Sequence, residues 1–163
     1  MEDLGMRKAR SVYRILTEAL DKNGWKYKAD DDRITLAYGV KTENDDEPVT
    51  FTVRVDAEHQ IVLLKTQPLL SFPAERLVEG AKAVCAANNV LVDGNFDLKL
   101  KGGALTYRQA LVFRETTLLS VEALRFLLNY SIFAINTMLD KFALVSEGKL
   151  DGAGFCEACK SIE

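Results

Sequence analysis

Two cysteines near the end of the chain have the only spacing in the sequence that is typical of reactive thiols. Cys156 and Cys159 form a C-x-x-C pair, which can serve as a redox couple or as half of a zinc site. A redox couple of this kind normally opens a helix that follows a strand, whereas this pair follows a glycine-rich segment, Gly148 to Gly154. We therefore expect a flexible C-terminal tail over residues 148–163 with two exposed thiols, and keep a redox pair as an alternative.

Zinc is the second chemistry that these thiols could support. A zinc site needs about four ligands, and His59 and Cys85 are the other soft candidates in the chain. Because Cys85 falls on a predicted buried helix face, no metal site is predicted within one chain. Zinc shared between the cysteine pairs of two chains stays open. A metal- or redox-responsive protein is thus the alternative function.

Acid–base catalysis has few candidates. His59 is the single histidine and could act as a general base, but it lies in a polar connection, Asp56 to Gln60, with no nucleophile nearby in sequence. A solvated turn histidine is the favoured interpretation. Arg108 with neighbouring carboxylates is a weaker starting point for an enzyme. No phosphate-loop, dinucleotide-binding or zinc-protease motif is present, so we predict no catalytic residue, no cofactor and no enzymatic activity.

The net charge of the chain disfavours some classes of binding partner. The 163 residues carry a net charge of −3, which disfavours nucleic acid and anionic membranes as partners. Acidic residues concentrate in two loops, Asp30 to Asp32 and Glu43 to Glu47. We interpret them as solubilising loops, while a cation site or a docking patch for a basic partner stays open.

The compartment follows from the N-terminus and the apolar runs. The start, Met1 to Met6, is acidic and lacks the pattern of a signal peptide. The longest apolar runs, such as Ala83 to Ala87, are far shorter than the roughly 18 residues of a membrane span. We expect a cytoplasmic protein whose thiols are reduced.

Hydrophobic periodicity predicts one α+β domain over residues 1–147. The order is α-β-β-β-α-β-β-α, with three helices and an antiparallel sheet of five to six strands. The predicted helices are Met6 to Lys22, Pro73 to Asn89 and Val121 to Ser146, and the predicted strands are Trp25 to Lys28, Arg33 to Thr42, Val49 to Val55, Ile61 to Thr66, Phe96 to Lys101 and Ala104 to Arg114. Gly102-Gly103 supplies a two-residue hairpin turn, and Ser120 is a suitable N-cap for the last helix.

The last helix is apolar on too many sides for the surface helix of a monomer. One arc, which includes Leu124, Leu128 and Ile135, is expected to cover the sheet, and Phe126, Tyr130, Phe133 and Leu144 gather on nearly the opposite side. We interpret this second face as a surface for a partner or for a second copy of the chain, because exposed aromatic patches mark and anchor interfaces. The alternative is that the first or second helix covers it within the chain.

Several residue strings resemble the YbjN-type family of bacterial sensory-transduction regulators, which in turn is similar in fold to the type III secretion chaperones. The strings are Ala86-Ala87-Asn88-Asn89, Gly94-Asn95-Phe96-Asp97-Leu98 and Leu105-Thr106-Tyr107-Arg108, followed by a long apolar helix after the cap at Thr117–Ser120. The resemblance covers about Met6 to Glu147.

This resemblance implies a non-catalytic homodimer that binds another polypeptide, and it carries over no catalytic residue. The sequence therefore predicts a protein-binding module with a chaperone-like or regulatory role. Phe126, Tyr130 and Phe133 are its predicted contacts, either with the second subunit or with the client.

Overall fold

The computed structural model describes residues 4–41, 47–114 and 119–160. These residues form four α-helices and seven strands, which run in the order α1 (Leu4–Lys22), β1 (Tyr27–Asp30), β2 (Thr35–Val40), β3 (Val49–Asp56), β4 (Ile61–Thr66), β5 (Leu70–Ser71), α2 (Leu77–Val90), β6 (Asn95–Leu98), β7 (Ala104–Val112), α3 (Val121–Ser146) and α4 (Gly152–Cys159). A 3₁₀ turn, Ala74–Arg76, leads into α2. Met1 to Asp3, the acidic loop at 43–46, the predicted strand end at Thr42, Thr117 of the predicted cap and residues 161–163 of the predicted tail lie outside the described residues.

All strand pairs are antiparallel, and β1 to β4 are neighbours in sequence order. Strands β4 and β5 pair with successive parts of one edge of β7, and β6 pairs with its opposite edge. In β3 the side chains of Phe51, Val53 and Val55 are buried, while those of Thr50 and Arg54 are exposed. This alternation places one face of the sheet against the helices. The α+β class and the antiparallel sheet are therefore confirmed.

Short-range signals determine where several elements end. Gly24 ends α1 in the left-handed region at φ 69°, as its Asn-Gly sequence predicts. Gly102 and Gly103 have φ of 90° and 67°, but β6 ends at Leu98 and β7 begins at Ala104. The predicted two-residue turn is therefore wrong, because the two glycines close a longer connection over residues 99–103. The Ser120 side chain accepts a hydrogen bond from the Ala123 N–H at 3.1 Å, so the N-cap of α3 is also confirmed.

The strand count is higher than predicted because one strand is very short. Leu70–Ser71 pairs with Leu105 and Ala104 of β7. Pro68 interrupts the chain after β4, and two residues are too few to show an alternating pattern. The first strand is also shifted and begins at Tyr27. Trp25 lies before this strand, and its ring packs on that of Tyr38 at a centroid distance of 5.5 Å.

The prediction of a flexible tail over 148–163 is wrong for the described residues. Residues 152–159 form α4, whose N-cap Asp151 accepts from the Gly154 N–H at 2.7 Å. Phe155 and Cys159 are buried in the same core as the sheet and the other helices, so the domain extends beyond residue 147. Gly152, which suggested a linker, instead permits close contact: a Cβ there would clash with the Lys82 side chain.

A single amide side chain holds α2 to the edge of the sheet. Asn88 accepts a hydrogen bond from the Phe96 N–H at 2.8 Å and donates one to the Phe96 carbonyl at 3.0 Å. These two bonds occupy the outward-facing backbone groups of Phe96, as a neighbouring strand would. Asn88 therefore protects part of the β6 edge from pairing with another chain.

We expect the Asn88→Ala substitution to lower the free energy of unfolding by about 1–3 kcal/mol, because both Phe96 backbone groups lose their partner. Asn89→Ala is the matched control, since Asn89 is exposed on the same turn, and should change stability by less than about 0.5 kcal/mol. Urea unfolding followed by circular dichroism measures both. Equal effects of the two substitutions would contradict the assigned role.

Buried tyrosines predict a loss of stability in alkali. Burial raises the pKa of Tyr13 from 10.0 to about 12, with a further contribution from Asp31, and burial also raises the pKa of Tyr38 and Tyr107. The folded state therefore favours the neutral phenols. Their contribution is complete below pH 10.0 and declines as the pH rises towards about 12, where Tyr13 also ionises in the folded state.

Denaturant unfolding at a series of pH values, together with tyrosinate absorbance, measures this loss. We expect part of the tyrosinate signal to appear only with unfolding. Titration of all five tyrosines near their ordinary pKa in a chain that stays folded would contradict the prediction.

Candidate protein-binding surface

Helix α3 buries the arc predicted to cover the sheet. Leu124, Leu128 and Ile135 are fully buried. Leu127 and Ala134, which lie between the two apolar arcs and which we call the bridging residues, are buried as well. Helices α1 and α2 both pack against α3. The chain therefore covers the bridging residues itself.

The aromatic residues beyond those bridging positions are not covered. Phe126 and Phe133 are 55% and 54% exposed, and Tyr130 between them is half-buried. The Phe126 and Tyr130 rings stack with centroids 5.5 Å apart, and the Tyr130 and Phe133 rings are 5.7 Å apart. Their spacing of four and three residues places all three on one side of the helix. We call these three residues the aromatic ladder.

The centre of the aromatic ladder is held by the loop after α2. The Tyr130 hydroxyl accepts a hydrogen bond from the Val92 N–H at 2.9 Å. Val92 itself is 86% exposed, so the loop adds an apolar side chain next to the middle ring. Helical periodicity cannot identify Val92, because it lies outside any regular element. The bond fixes the position of the Tyr130 side chain before any partner arrives.

Polar side chains close the seam between α1 and α3. Asn23 donates to the Asn129 side chain at 3.0 Å and accepts from Arg125 Nε at 3.0 Å. Arg125 and Asn129 each precede a ladder residue by one position, so these bonds lie along one flank of the aromatic ladder. An apolar stripe with a polar border is the arrangement that protein interfaces use.

His59 lies apart from the aromatic ladder, in an exposed turn. Its Nδ1 is 3.2 Å from Asp56 Oδ1, and its N–H donates to the same oxygen at 3.0 Å. This backbone hydrogen bond is the main cause of the lowered pKa of Asp56. Arg54 also binds Asp56, at 2.9 Å. These contacts stabilise the β3–β4 turn.

Arg108 is part of a surface ion pair on the sheet. Its Nε donates to Asp97 Oδ2 at 2.9 Å, and both side chains are substantially exposed. The pair joins neighbouring strands β6 and β7. The structure does not bring Arg108 together with His59 in any shared contact among the described residues.

Cys85 and Cys159 differ from their predicted environments, whereas Cys156 is exposed as predicted. Cys85 is exposed and not on a buried face, and Cys159 is buried while Cys156 is exposed. Burial raises the pKa of the Cys159 thiol. The C-x-x-C pair ends α4 and does not begin it, so it lacks the helix N-terminus that would favour a thiolate. Within residues 4–41, 47–114 and 119–160, no three His, Cys, Asp or Glu side chains gather as a metal site would require.

Among the helices that the structure describes, none combines the length and the apolar character that a membrane span requires. Helix α3 has 26 residues, but charged side chains interrupt it, among them Glu122, Arg125 and Asp140.

Comparisons with known proteins give one family and two structural likenesses. The family model YbjN, described as "Putative bacterial sensory transduction regulator", matches residues 13–144. A chain from the crystal structure of the ExsC–ExsE complex is 17% identical, with a TM-score of 0.49 and coverage of 90% of this chain and 96% of that one. A chain from the HopA1–SchA chaperone–effector complex is 18% identical, with a TM-score of 0.49 and coverage of 86% and 97%. No curated protein matches the chain.

Because the Phe126 and Phe133 rings are exposed, we predict that they contribute little to the stability of the fold. We expect the double substitution of Phe126 and Phe133 with Ser to lower the free energy of unfolding by no more than about 2 kcal/mol, as is usual at surface positions. Leu127→Ser, at the buried neighbouring position, should cost more than about 3 kcal/mol. Denaturant unfolding compares the two variants. A larger loss in the double variant than in Leu127→Ser would show that the two rings belong to the core.

Proposed function

Because the chain belongs to the YbjN family, whose model describes regulators, we propose that it is a non-enzymatic protein-binding module with a chaperone-like or regulatory role. Its aromatic ladder would bury an apolar segment of another polypeptide. The observation that carries this proposal is the pair of outer phenylalanine rings, more than half exposed on a well-packed helix.

The aromatic ladder has enough apolar surface to contribute to binding. Covering the exposed half of a phenylalanine contributes roughly 1–2 kcal/mol, and stacking with a partner's aromatic ring adds about 0.5–1.5 kcal/mol. Two outer rings and the exposed Val92 side chain therefore supply several kcal/mol. That contribution suits an anchor within a larger interface better than an interface complete in itself.

The aromatic ladder is also held in place before binding. The three rings contact one another on a continuous helix, and the Val92 N–H fixes the Tyr130 hydroxyl at 2.9 Å. Ordering flexible side chains costs roughly 0.5–1.5 kcal/mol each on association. A surface that already has its bound arrangement avoids much of that cost.

The expected partners are a second copy of the chain and a client polypeptide. In a homodimer with twofold symmetry, the aromatic ladder of one subunit would pack against that of the other, since the same patch serves both sides. If the dimer forms elsewhere, the ladder is open to the client. A cytoplasmic location is part of this proposal, and the three free cysteines are compatible with it.

The Phe126 and Phe133 double serine variant tests the proposal. If the dimer uses the aromatic ladder, we expect its dissociation constant to rise at least about a hundredfold, because four exposed half-rings lose their contacts. Sedimentation velocity over a range of concentrations measures this change. If the dimer is unaffected, the binding of client polypeptides should be lost instead. Mass spectrometry would then identify polypeptides that the wild-type chain captures from bacterial cytosol and that the variant does not.

A double serine variant at Val78 and Leu100 is the matched control, since both side chains are 68% exposed and line a depression formed by α2 and the β6–β7 connection. If the aromatic ladder is the binding site, the control variant should form the dimer and capture polypeptides as the wild type does. An unchanged mass together with unchanged capture in the ladder variant would rule out the proposal, and so would equal losses in the ladder and control variants.

A further inference from the structure

A groove between α2 and α4 brings together two cysteines that are distant in sequence. Cys85 and Cys156 both line this groove, and both are exposed. Neither belongs to the aromatic ladder, and the C-x-x-C spacing alone does not relate them. The groove therefore holds a thiol pair that sequence spacing cannot reveal.

The two helices approach closely at one end of the groove. The Gly152 N–H donates to Glu79 Oε2 at 2.6 Å, and a Cβ at Gly152 would clash with Lys82. Lys82 also binds Glu79, at 2.7 Å. The first turn of α4 is thereby fixed against the first half of α2.

Both cysteines lie about one turn further along their helices from this contact. Cys156 is four residues after Gly152, and Cys85 is three residues after Lys82. A spacing of three or four residues keeps a side chain on the same side of its helix. Because the helices are close at Gly152 and both cysteines line the groove, Cys85 lies on the α2 wall of this groove and Cys156 on its α4 wall.

We propose that Cys85 and Cys156 are a redox-sensitive pair that closes to a disulfide across the α2–α4 groove. With a peroxide as the oxidant, one thiolate attacks the O–O bond of hydrogen peroxide, which yields a sulfenic acid and water. The second thiolate attacks that sulfur, the S–S bond forms, and the hydroxyl leaves as a second water. Two thiols lose two electrons and two protons, and one peroxide is reduced to two waters.

Cys159 is a poorer partner than Cys85 for Cys156. It is buried, whereas Cys85 is exposed, and burial raises the pKa of the Cys159 thiol, which disfavours the reactive thiolate. The pair proposed here therefore differs from the C-x-x-C couple, and it is independent of the proposed role of the aromatic ladder.

The disulfide would act by tying α4 to α2. Cys85 and Cys156 enclose β6, β7 and all of α3, so the bond closes a long loop that restricts the unfolded chain. Oxidation should therefore raise the thermal stability of the domain, and reduction should reverse this gain.

Treatment of the full-length protein with hydrogen peroxide tests the proposal. We expect two of the three thiols to be lost, a disulfide-linked peptide containing Cys85 and Cys156 in a non-reducing digest, and a rise in melting temperature of about 5–10 °C that dithiothreitol reverses. Cys159→Ser should behave like the wild type. Cys85→Ser and Cys156→Ser should fold, because both positions are exposed, and should show neither the linked peptide nor the rise.

Three results would overturn the proposal. These are a link between Cys156 and Cys159, a covalent dimer joined through Cys85, and oxidation of either exposed thiol to a sulfinic acid with no intramolecular link. Peptide mapping distinguishes them from one another and from the expected product.

Discussion

The arrangement of the molecule depends on one aromatic side chain, Phe142, near the end of α3. Its ring centroid lies 4.7 Å from that of Phe155, 4.9 Å from that of Phe96 and 6.4 Å from that of Phe72. These partners belong to α4, to β6 and to the segment before α2. Rings that meet edge-on or tilted add to the stability gained by burial alone. Phe142 thus fixes the C-terminal half of α3 against three parts of the chain at once.

The exposure of the aromatic ladder follows from this constraint. A helix with apolar residues on two opposite arcs can turn only one of them towards the sheet. With Phe142 fixed and the other end held to α1 through Asn23 and Arg125, α3 cannot rotate to bury its outer rings without exposing residues such as Leu124. Helices α1 and α2 cover the flanks of α3, which buries Leu127 but leaves the outermost arc uncovered.

The elements that periodicity could predict are those whose pattern is local. The limits of α3 and the alternation in β3 depend on each segment's own apolar spacing, and both match the structure. The helix wheel also separated the two apolar arcs of α3, but only tertiary packing determines which residues the neighbouring helices cover. Periodicity does not predict α4, because its glycines indicate a linker in the sequence. In the fold, Gly152 instead permits close contact with Lys82. Asn88 likewise shows its role only once β6 lies beside it.

Scattered exposed apolar residues are normal on protein surfaces and need no function, so the aromatic ladder has to be distinguished from them. Val78 and Leu100 are more exposed than either phenylalanine, yet neither belongs to a stacked aromatic group. In the aromatic ladder three rings touch in sequence, and a backbone N–H that could bind water binds the Tyr130 hydroxyl instead. Such a bond orders the Tyr130 side chain at an entropic cost. The neighbouring Phe126 and Phe133 rings are about half exposed to water, so the fold stabilises them little. Ordering of this kind gains its full value when a second surface covers the rings, because the partner then meets a prepared site.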